Sequence, residues 1–182
     1  MIYLFLAEGF EEVEAICPLD LMRRAGLSVT TVGIGGSTIV GAHGIGIQAD
    51  VSDTDFSPNA ITAADLVFLP GGMPGTLNLA ASPTVTESIV RANELGAYLA
   101  AICAAPSILG DMGLLAGKEA TCYPGFESYL VGAKLSEKRV VTDGTILTAA
   151  GMGVALEFGL AIVSLLCGED KAKELAHAVL YS

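Results

Sequence analysis

The stretch "AYLAAICAAPSILG", residues 97 to 110, joins an apolar run to a run of small residues through Cys103. The apolar run predicts a buried strand that ends at Cys103, and the segment after it predicts a helix. A strand-to-helix turn exposes its first side chain at the top of a sheet, as in a nucleophile elbow. Cys103 is therefore either a reactive thiol at a strand end or a cysteine that fills the core.

Apolar runs alternate with helical patterns along the rest of the chain, which is typical of βαβ units around a mostly parallel sheet. Further strands are predicted over 2–7, 27–34 and 65–72, the last ending in a Pro-Gly-Gly break, and helices over 11–26, 82–96, 152–167 and 169–180. Residues 37–50 predict a small glycine-containing hairpin at the sheet edge, and a second hairpin turns at Asp143-Gly144. The sequence lacks repeats and linkers, so one α/β domain is predicted over 1–182.

Composition excludes several classes of function. The net charge is −11, from 20 acidic and 9 basic residues, which argues against binding to nucleic acid or to anionic membranes. No run approaches the roughly 18 unbroken apolar residues of a membrane helix. The amino terminus lacks the charged flank and cleavage site of a signal peptide. A cytoplasmic protein is expected.

The cysteines and histidines do not form a metal or disulfide pattern. Four cysteines are scattered without a CxxC pair, and only two histidines are present, so neither a disulfide framework nor a zinc site is expected. Cys17 and Cys167 lie in apolar helix patterns and are predicted to be core residues. Cys122 precedes a Pro-Gly break and is a candidate neighbour of the cleft. The sequence places neither histidine as the base of a Cys-His pair, which counts against a protease.

Three strand ends predict one ligand cleft, because open α/β sheets bind ligands beyond the carboxyl ends of their strands. These ends are "AEGFEEVE", "LPGGMPG" and "AICAAP", and they share a cleft if their strands are neighbours. The N–H groups of Gly71 and Gly72 suit an oxyanion hole, or they belong to an ordinary tight turn. The helix after Cys103 favours the thiolate and is expected to lower its pKa below the usual ~8.5.

Three glutamates, Glu11, Glu12 and Glu14, crowd the start of the first helix. They either complement the helix dipole as solvated carboxylates, or one of them faces the cleft. A carboxyl turned toward Cys103 is desolvated and favours its protonated form, which suits a general acid or base. Periodicity does not choose among the three.

Taken together, the strand-end motifs resemble the ThiJ/PfpI superfamily. The closest branch is that of the Parkinson-disease-associated protein deglycase and its bacterial homologues. The resemblance rests, in order, on "AEGFEEVEAICPLDLMRRAG", "DLVFLPGGMPGTLNL", "AAICAAPSILG", "TCYPGFES", "RVVTDGTILTAAGMGVALEFGLAIV" and "GEDKAKELA". It covers nearly the whole chain. It implies a flavodoxin-like three-layer sandwich and a homodimer with part of each active site near the interface.

The resemblance also implies roles for individual residues. The reactive cysteine falls on Cys103, and the protonated glutamate that hydrogen-bonds it falls on Glu14. The backbone donors beside the sulfur fall on Gly71 and Gly72, together with Ala104.

This chain departs from the family pattern at three positions. Ala104 stands where the protease-labelled branch has histidine, which makes proteolysis unlikely by that route. Tyr123 stands where the animal deglycases have histidine. A tyrosine there donates a hydrogen bond but is a poor base near neutral pH. His43 takes the place of an arginine that the family often carries in the hairpin. Tyr123 and His43 are thus auxiliary candidates.

Two functions from different classes follow. The first is an enzyme that converts reactive α-oxoaldehydes such as methylglyoxal, or their early adducts, to hydroxy acids, with Cys103 as nucleophile and Glu14 as proton shuttle. It requires no metal or organic cofactor. The second is a non-enzymatic redox sensor or chaperone in which Cys103 is oxidised to a sulfinate. Both place a stress-response role on the same thiolate.

Overall fold

The computed structural model describes residues 1–181. Its strands are β1 Ile2–Leu6, β2 Val29–Gly33, β3 Thr38–Val40, β4 Gly46–Gln48, β5 Val51–Ser52, β6 Leu66–Leu69, β7 Tyr98–Ile102, β8 Glu119–Ala120, β9 Lys134–Leu135, β10 Val140–Asp143 and β11 Ile146–Ala149. Its helices are α1 Glu12–Arg24, α2 Gly75–Ala81, α3 Pro83–Leu95, α4 Pro106–Asp111, α5 Ala155–Cys167 and α6 Glu169–Ala178. Short 3-10 turns span Pro58–Ala60, Glu127–Tyr129 and Met152–Val154.

The central sheet has seven strands in the order β10-β11-β7-β6-β1-β2-β5. All neighbours are parallel except β10 and β11, which form the hairpin predicted at Asp143-Gly144. The flavodoxin-like α/β fold is therefore confirmed. The predicted small hairpin is also present, as β3 and β4, and it forms a two-stranded antiparallel sheet of its own.

The neighbours β7, β6 and β1 lie side by side in the middle of this sheet. Parallel neighbours end at the same edge, so the three segments that follow these strands meet there. The prediction that the three strand ends share one cleft depends on this adjacency, and the sheet order provides it.

The core has two parts because successive strand residues point to opposite faces of the sheet. On one face, Ile2, Leu4 and Leu6 of β1 pack with residues of α1, α5 and α6. On the other face, Tyr3 and Phe5 pack with residues of α3 and α4. These helices and the sheet make up the three predicted layers.

Helix α3 begins and ends where the sequence signals it. In α3, the Ser82 side chain accepts a hydrogen bond from the Val85 N–H, and Pro83 is the first helical residue. Gly96 ends α3 in the left-handed conformation, with φ of +70°. Such caps fix the length of the helix that crosses from β6 to β7.

Other elements differ from the sequence predictions. Helix α2 was not predicted, and α4 has only six residues. The helix predicted from residue 152 begins at Ala155, after a 3-10 turn. Cys167 is the last residue of α5 and is exposed, so its prediction as a core residue is wrong, and Cys17 is only half-buried. Over residues 1–181, no helix has both the length and the apolar character needed to cross a membrane.

Candidate active site

Cys103 is the first residue after β7, and its backbone has φ of +66°. This left-handed conformation is costly for a residue with a side chain and persists only where the surroundings enforce it. The Cys103 N–H donates to the Ala149 carbonyl at 2.9 Å, and its own carbonyl accepts the Tyr123 N–H at 2.8 Å. The nucleophile-elbow prediction therefore corresponds to an observed strained turn, held from both sides.

The Cys103 sulfur lies in a ring of polar groups supplied by the neighbouring strand ends. The Glu14 carboxyl shares a hydrogen bond with it, and the N–H groups of Gly72 and Ala104 donate to it. The Gly71 N–H instead donates to Glu14 Oε2 at 3.0 Å. The structure thus brings together the five residues expected at this site, with Gly71 holding the carboxyl and not the sulfur.

Glu14 is a buried carboxyl, with a side chain only 1% exposed. Burial raises its pKa from 4.5 to about 7, because desolvation penalises the charged form, and the nearby Glu11 adds to the rise. Hydrogen bonds from Cys103 and from the N–H groups of Gly71 and Met152 act in the opposite direction. A carboxyl with a pKa near neutrality is suited to both giving and taking a proton.

The pKa of the Cys103 thiol is raised to about 12, first by burial and then by the charge and hydrogen bond of Glu14. The N–H groups of Ala104 and Gly72 lower it, but by less. The prediction of a lowered thiol pKa is therefore wrong. The helix that was expected to lower it is only six residues long, and the carboxylate beside the sulfur opposes it.

The two acids consequently behave as one unit. Burial disfavours the charged form of each, and the hydrogen bond between the Glu14 carboxyl and the Cys103 sulfur couples their titration. Transfer of the thiol proton to the Glu14 carboxylate would leave a thiolate whose negative charge faces the Gly72 and Ala104 N–H groups. Glu14, and not a histidine, is therefore the group placed to accept the thiol proton.

Glycine at position 71 permits Glu14 and Cys103 to approach the backbone at the end of β6. A β-carbon there would lie 2.5 Å from Glu14 Oε2 and 2.6 Å from the Cys103 β-carbon. Gly72 has φ of +93°, which a residue with a side chain adopts only with strain. Both glycines are thus needed to bring the β6 end against Glu14 and Cys103.

The three glutamates at the start of α1 have separate roles. Glu11 caps the helix, because its side chain accepts the Glu14 N–H at 2.6 Å. Glu12 is buried and binds the hairpin, accepting the His43 N–H at 2.7 Å and contacting His43 Nδ1 at 2.8 Å. Only Glu14 contacts Cys103, which is the residue that the family resemblance selected.

His43 is an anchor of the hairpin, since its hydrogen bonds go to Glu12 and not to Cys103 or Glu14. Its hydrogen bond and ion pair with Glu12 raise the pKa of the exposed His43 ring. Burial raises the pKa of Glu12, but hydrogen bonds from His43 and Ile45 outweigh it and hold that pKa below its ordinary value.

Within the described residues, one group has the composition of a metal site: Glu11, Glu12 and His43 place ligand-type atoms within 4.8 Å of one another. Its atoms already have protein partners, because Glu11 caps α1 and both Glu12 oxygens bind His43. The arrangement is that of an ion pair that fastens the hairpin to α1.

Tyr123 and Cys122 are neighbours in sequence but differ in orientation. Tyr123 is half exposed, and its ring edge would lie 3.2 Å from a β-carbon placed at Gly151. Cys122 belongs to the core cluster on the opposite face from the one that Cys103 packs against. Burial and the charge of Glu127 raise the pKa of the Cys122 thiol to about 11. Cys122 is therefore a core thiol.

Sequence reasoning missed one contributor, the turn after β11. The Met152 N–H donates to the Glu14 carboxyl, so a fourth strand end takes part in the site. The contribution comes from the backbone, and residue type carries no signal for it. The glycine-containing segment "TAAGMG" at the end of a strand is the only hint in the sequence.

Comparison with known proteins agrees with this architecture. The profile of the DJ-1/PfpI family matches residues 1–165. Protein dj-1beta of Drosophila melanogaster is 37% identical over 178 residues, spanning 96% of this chain and 94% of that protein. The glutathione-independent glyoxalase DJR-1.2 of Caenorhabditis elegans is 32% identical over 170 residues, spanning 92% and 89%. The structure of oxidized Toxoplasma gondii DJ-1 superimposes with a TM-score of 0.94 at 30% identity, covering 100% of this chain and 98% of that one.

Proposed function

Because the chain belongs to the DJ-1/PfpI family, we propose that it converts reactive α-oxoaldehydes, such as methylglyoxal, to α-hydroxy acids in a stress response of the glyoxalase or deglycase type. The observation that carries the proposal is the buried Glu14 carboxyl, 1% exposed and held by the Gly71 N–H, hydrogen-bonded to the sulfur of Cys103 on its strained turn. The Caenorhabditis elegans relative is named a glutathione-independent glyoxalase, which supports the same reaction class.

The first step is attack on the aldehyde. The thiol proton moves to Glu14, and the Cys103 thiolate adds to the aldehyde carbon to form a carbon–sulfur bond. The aldehyde oxygen becomes an alkoxide, which takes the proton from Glu14 and yields a hemithioacetal. The N–H groups of Gly72 and Ala104, which face the sulfur, are the nearest donors to the developing oxyanion.

The second step is an isomerisation, followed by hydrolysis. The Glu14 carboxylate removes the proton from the carbon bonded to sulfur, giving an enediolate with its charge on the neighbouring oxygen. The hydroxyl proton on the sulfur-bearing carbon moves to that neighbouring oxygen, and Glu14 returns its proton to the neighbouring carbon. The product is a 2-hydroxyacyl thioester on Cys103. Water then attacks the thioester carbonyl, the thiolate leaves, and methylglyoxal plus one water has become lactate and a proton.

The test is lactate formation from methylglyoxal by the wild type, Cys103→Ser and Glu14→Gln. Both variants are expected to lose at least about a hundredfold in kcat/KM, the usual contribution of a positioned acid–base group. Cys167→Ser is the matched control, because Cys167 is an exposed thiol at the end of α5 and should keep wild-type rates. Equal rates in wild type and Cys103→Ser would refute the proposal.

Redox sensing, with or without a chaperone role, is the second candidate. It is favoured by the N–H groups and the Glu14 carboxyl around the sulfur, which suit the oxygens of a sulfinate. The solved Toxoplasma gondii relative is described as oxidized. Four free cysteines also suit a reducing compartment such as the cytoplasm. Mass spectrometry after mild peroxide treatment should show two oxygens on Cys103 before the exposed Cys167 is modified. Oxidation that favours Cys167 would contradict sensing at Cys103.

We also propose that the chain works as a homodimer. An apolar groove lies between α1 and the β3–β4 hairpin, lined by exposed Val13 and Ile45 and by half-buried Ile16, Cys17 and Ile47. Val13 and Cys17 are one helical turn apart, so this stripe of α1 can pack against the same stripe of a second copy. Sedimentation should give a dimer for wild type and a monomer for Val13→Asp. A monomeric wild type would refute the assembly.

A further inference from the structure

Three large exposed apolar side chains belong to the segments that form the Cys103 site. They are Met73, 48% exposed, Tyr123, 50% exposed, and Met152, 52% exposed. Water-exposed side chains of this size carry apolar area that a ligand can remove from water. We call this set the apolar rim.

Each member of the rim is tied to the reacting pair through the backbone. Met73 directly follows Gly72, whose N–H donates to the Cys103 sulfur. The Met152 N–H donates to the Glu14 carboxyl, and the Tyr123 N–H donates to the Cys103 carbonyl. The three side chains therefore arise within one residue of a bond to Cys103 or Glu14.

Gly151 shows how close the rim comes to the carboxyl. A β-carbon at Gly151 would lie 3.2 Å from Cδ2 of the Tyr123 ring and 3.8 Å from Glu14 Oε1. The ring edge and this carboxyl oxygen both lie next to the same position at Gly151, which places the aromatic ring close to the Glu14 carboxyl.

The loops that carry the rim are also free of charge. The segments "GGMPG" (71–75), "TCYPGF" (121–126) and "AGMG" (150–153) contain no lysine, arginine, aspartate or glutamate. They offer no cation to a carboxylate or phosphate on the substrate. Methionine side chains adapt to ligands of varied shape, and sulfur packs favourably against aromatic rings.

We infer that the apolar rim selects α-oxoaldehydes with a large apolar substituent, of the phenylglyoxal kind, over methylglyoxal and over charged analogues. This inference rests on the proposed function for its chemistry and deepens it by naming a substrate class. The aldehyde carbon sits at the Cys103 sulfur, and the substituent covers Met73, Tyr123 and Met152. One additional methylene in an apolar pocket discriminates by roughly tenfold or more, so about tenfold is expected for a phenyl group on an open rim.

The first experiment measures the preference of the apolar rim for an apolar group, in a reaction that requires no catalytic turnover. Cys103 is alkylated with iodoacetamide and with its N-benzyl analogue, and the modified peptide is quantified by mass spectrometry. In both reactions the sulfur bonds to carbon and iodide leaves. The ratio of the two rate constants is divided by the same ratio for N-acetylcysteine amide, which removes the intrinsic reactivity of the reagents.

The wild type is expected to favour the benzyl reagent by about tenfold, and Met73→Gln/Met152→Gln to lose most of that preference. Leu135→Gln is the matched control, because Leu135 is 57% exposed on β9 and should keep the wild-type ratio. A wild-type ratio equal to that of the free thiol overturns the inference. So does a double variant that retains the full preference.

The second experiment compares kcat/KM for phenylglyoxal and methylglyoxal in the same three proteins. The ratio should favour phenylglyoxal in wild type and in Leu135→Gln and fall severalfold in the double variant. A preference for the benzyl reagent without turnover of either aldehyde would support the apolar preference of the rim and refute the proposed function. Turnover of both aldehydes, with the same ratio in the double variant as in wild type, would support the proposed function and refute the apolar preference of the rim.

Discussion

Replacement of Glu14 by glutamine should change how the stability of the fold depends on pH. The Glu14 pKa is about 7 in the fold, against an ordinary 4.5. Between these values the folded chain keeps a proton that the unfolded chain has released. The contribution of Glu14 to the free energy of unfolding must therefore fall as pH rises from 4.5 through 7. Glutamine does not titrate, and its amide can still accept from Gly71 and Met152 and donate to the sulfur.

The size of the effect follows from the two pKa values. At 1.36 kcal/mol per pH unit, the interval from 4.5 to about 7 corresponds to about 3 kcal/mol. This loss is complete above pH about 8. The stability of Glu14→Gln relative to wild type should thus rise by about 3 kcal/mol between pH 4 and pH 8.

Urea denaturation at several pH values, followed by circular dichroism, measures this difference. Apart from Cys103 and Glu11, which interact with Glu14, the other titrating groups are common to both proteins and cancel from it. Glu94→Gln, an exposed carboxyl on α3, controls for the loss of one carboxyl and should show a much weaker pH dependence. Parallel stability curves for wild type and Glu14→Gln would show that Glu14 is not held in the desolvated environment described above.

Three further predictions follow from the same contacts. Turnover of an α-oxoaldehyde by the wild type should rise through pH about 7, as the pair gives up its first proton, and a pH–rate profile of Glu14→Gln should lack that rise. Gly71→Ala should reduce turnover more than tenfold and the free energy of unfolding by about 1–3 kcal/mol, because the alanine β-carbon would overlap Glu14 and Cys103. Full activity of this variant would disprove that crowding. Phe158→Ala should cost about 3–5 kcal/mol in urea denaturation, since its buried ring packs edge-on against Phe68 at 5.4 Å, and a loss under 1 kcal/mol would contradict this.

The fold was predictable because its signals are local. Apolar runs mark the strands, and residues such as Ser82 and Gly96 mark the ends of α3. Once strands are known to be parallel neighbours, their ends must share one edge, which places Cys103 and Gly71 together. Helix α2 escaped prediction because it is seven residues long and has no side-chain cap.

The site was predictable only in part. Glu11, Glu12 and Glu14 all lie in the first turn of α1 or beside it, and their sequence spacing does not show which one meets the cleft. The family resemblance selected Glu14, and the structure shows the contact. The pKa of Cys103 was predicted with the wrong sign, because the local helix was considered without the burial of the thiol and without the Glu14 carboxyl that the fold brings beside it from α1. The Met152 contribution was invisible because it comes from a backbone N–H.

The strained turn at Cys103 also affects how this residue behaves before the chain has folded. Its left-handed backbone is held by Ala149 on one side and Tyr123 on the other, both contributed by segments that follow Cys103 in the chain. While the protein is being synthesised, Cys103 emerges before either partner exists. A nascent or misfolded chain therefore carries an ordinary, flexible cysteine at this position. The contact between the Cys103 thiol and Glu14 forms only in the folded protein. Any reactivity that depends on this contact is therefore restricted to folded molecules.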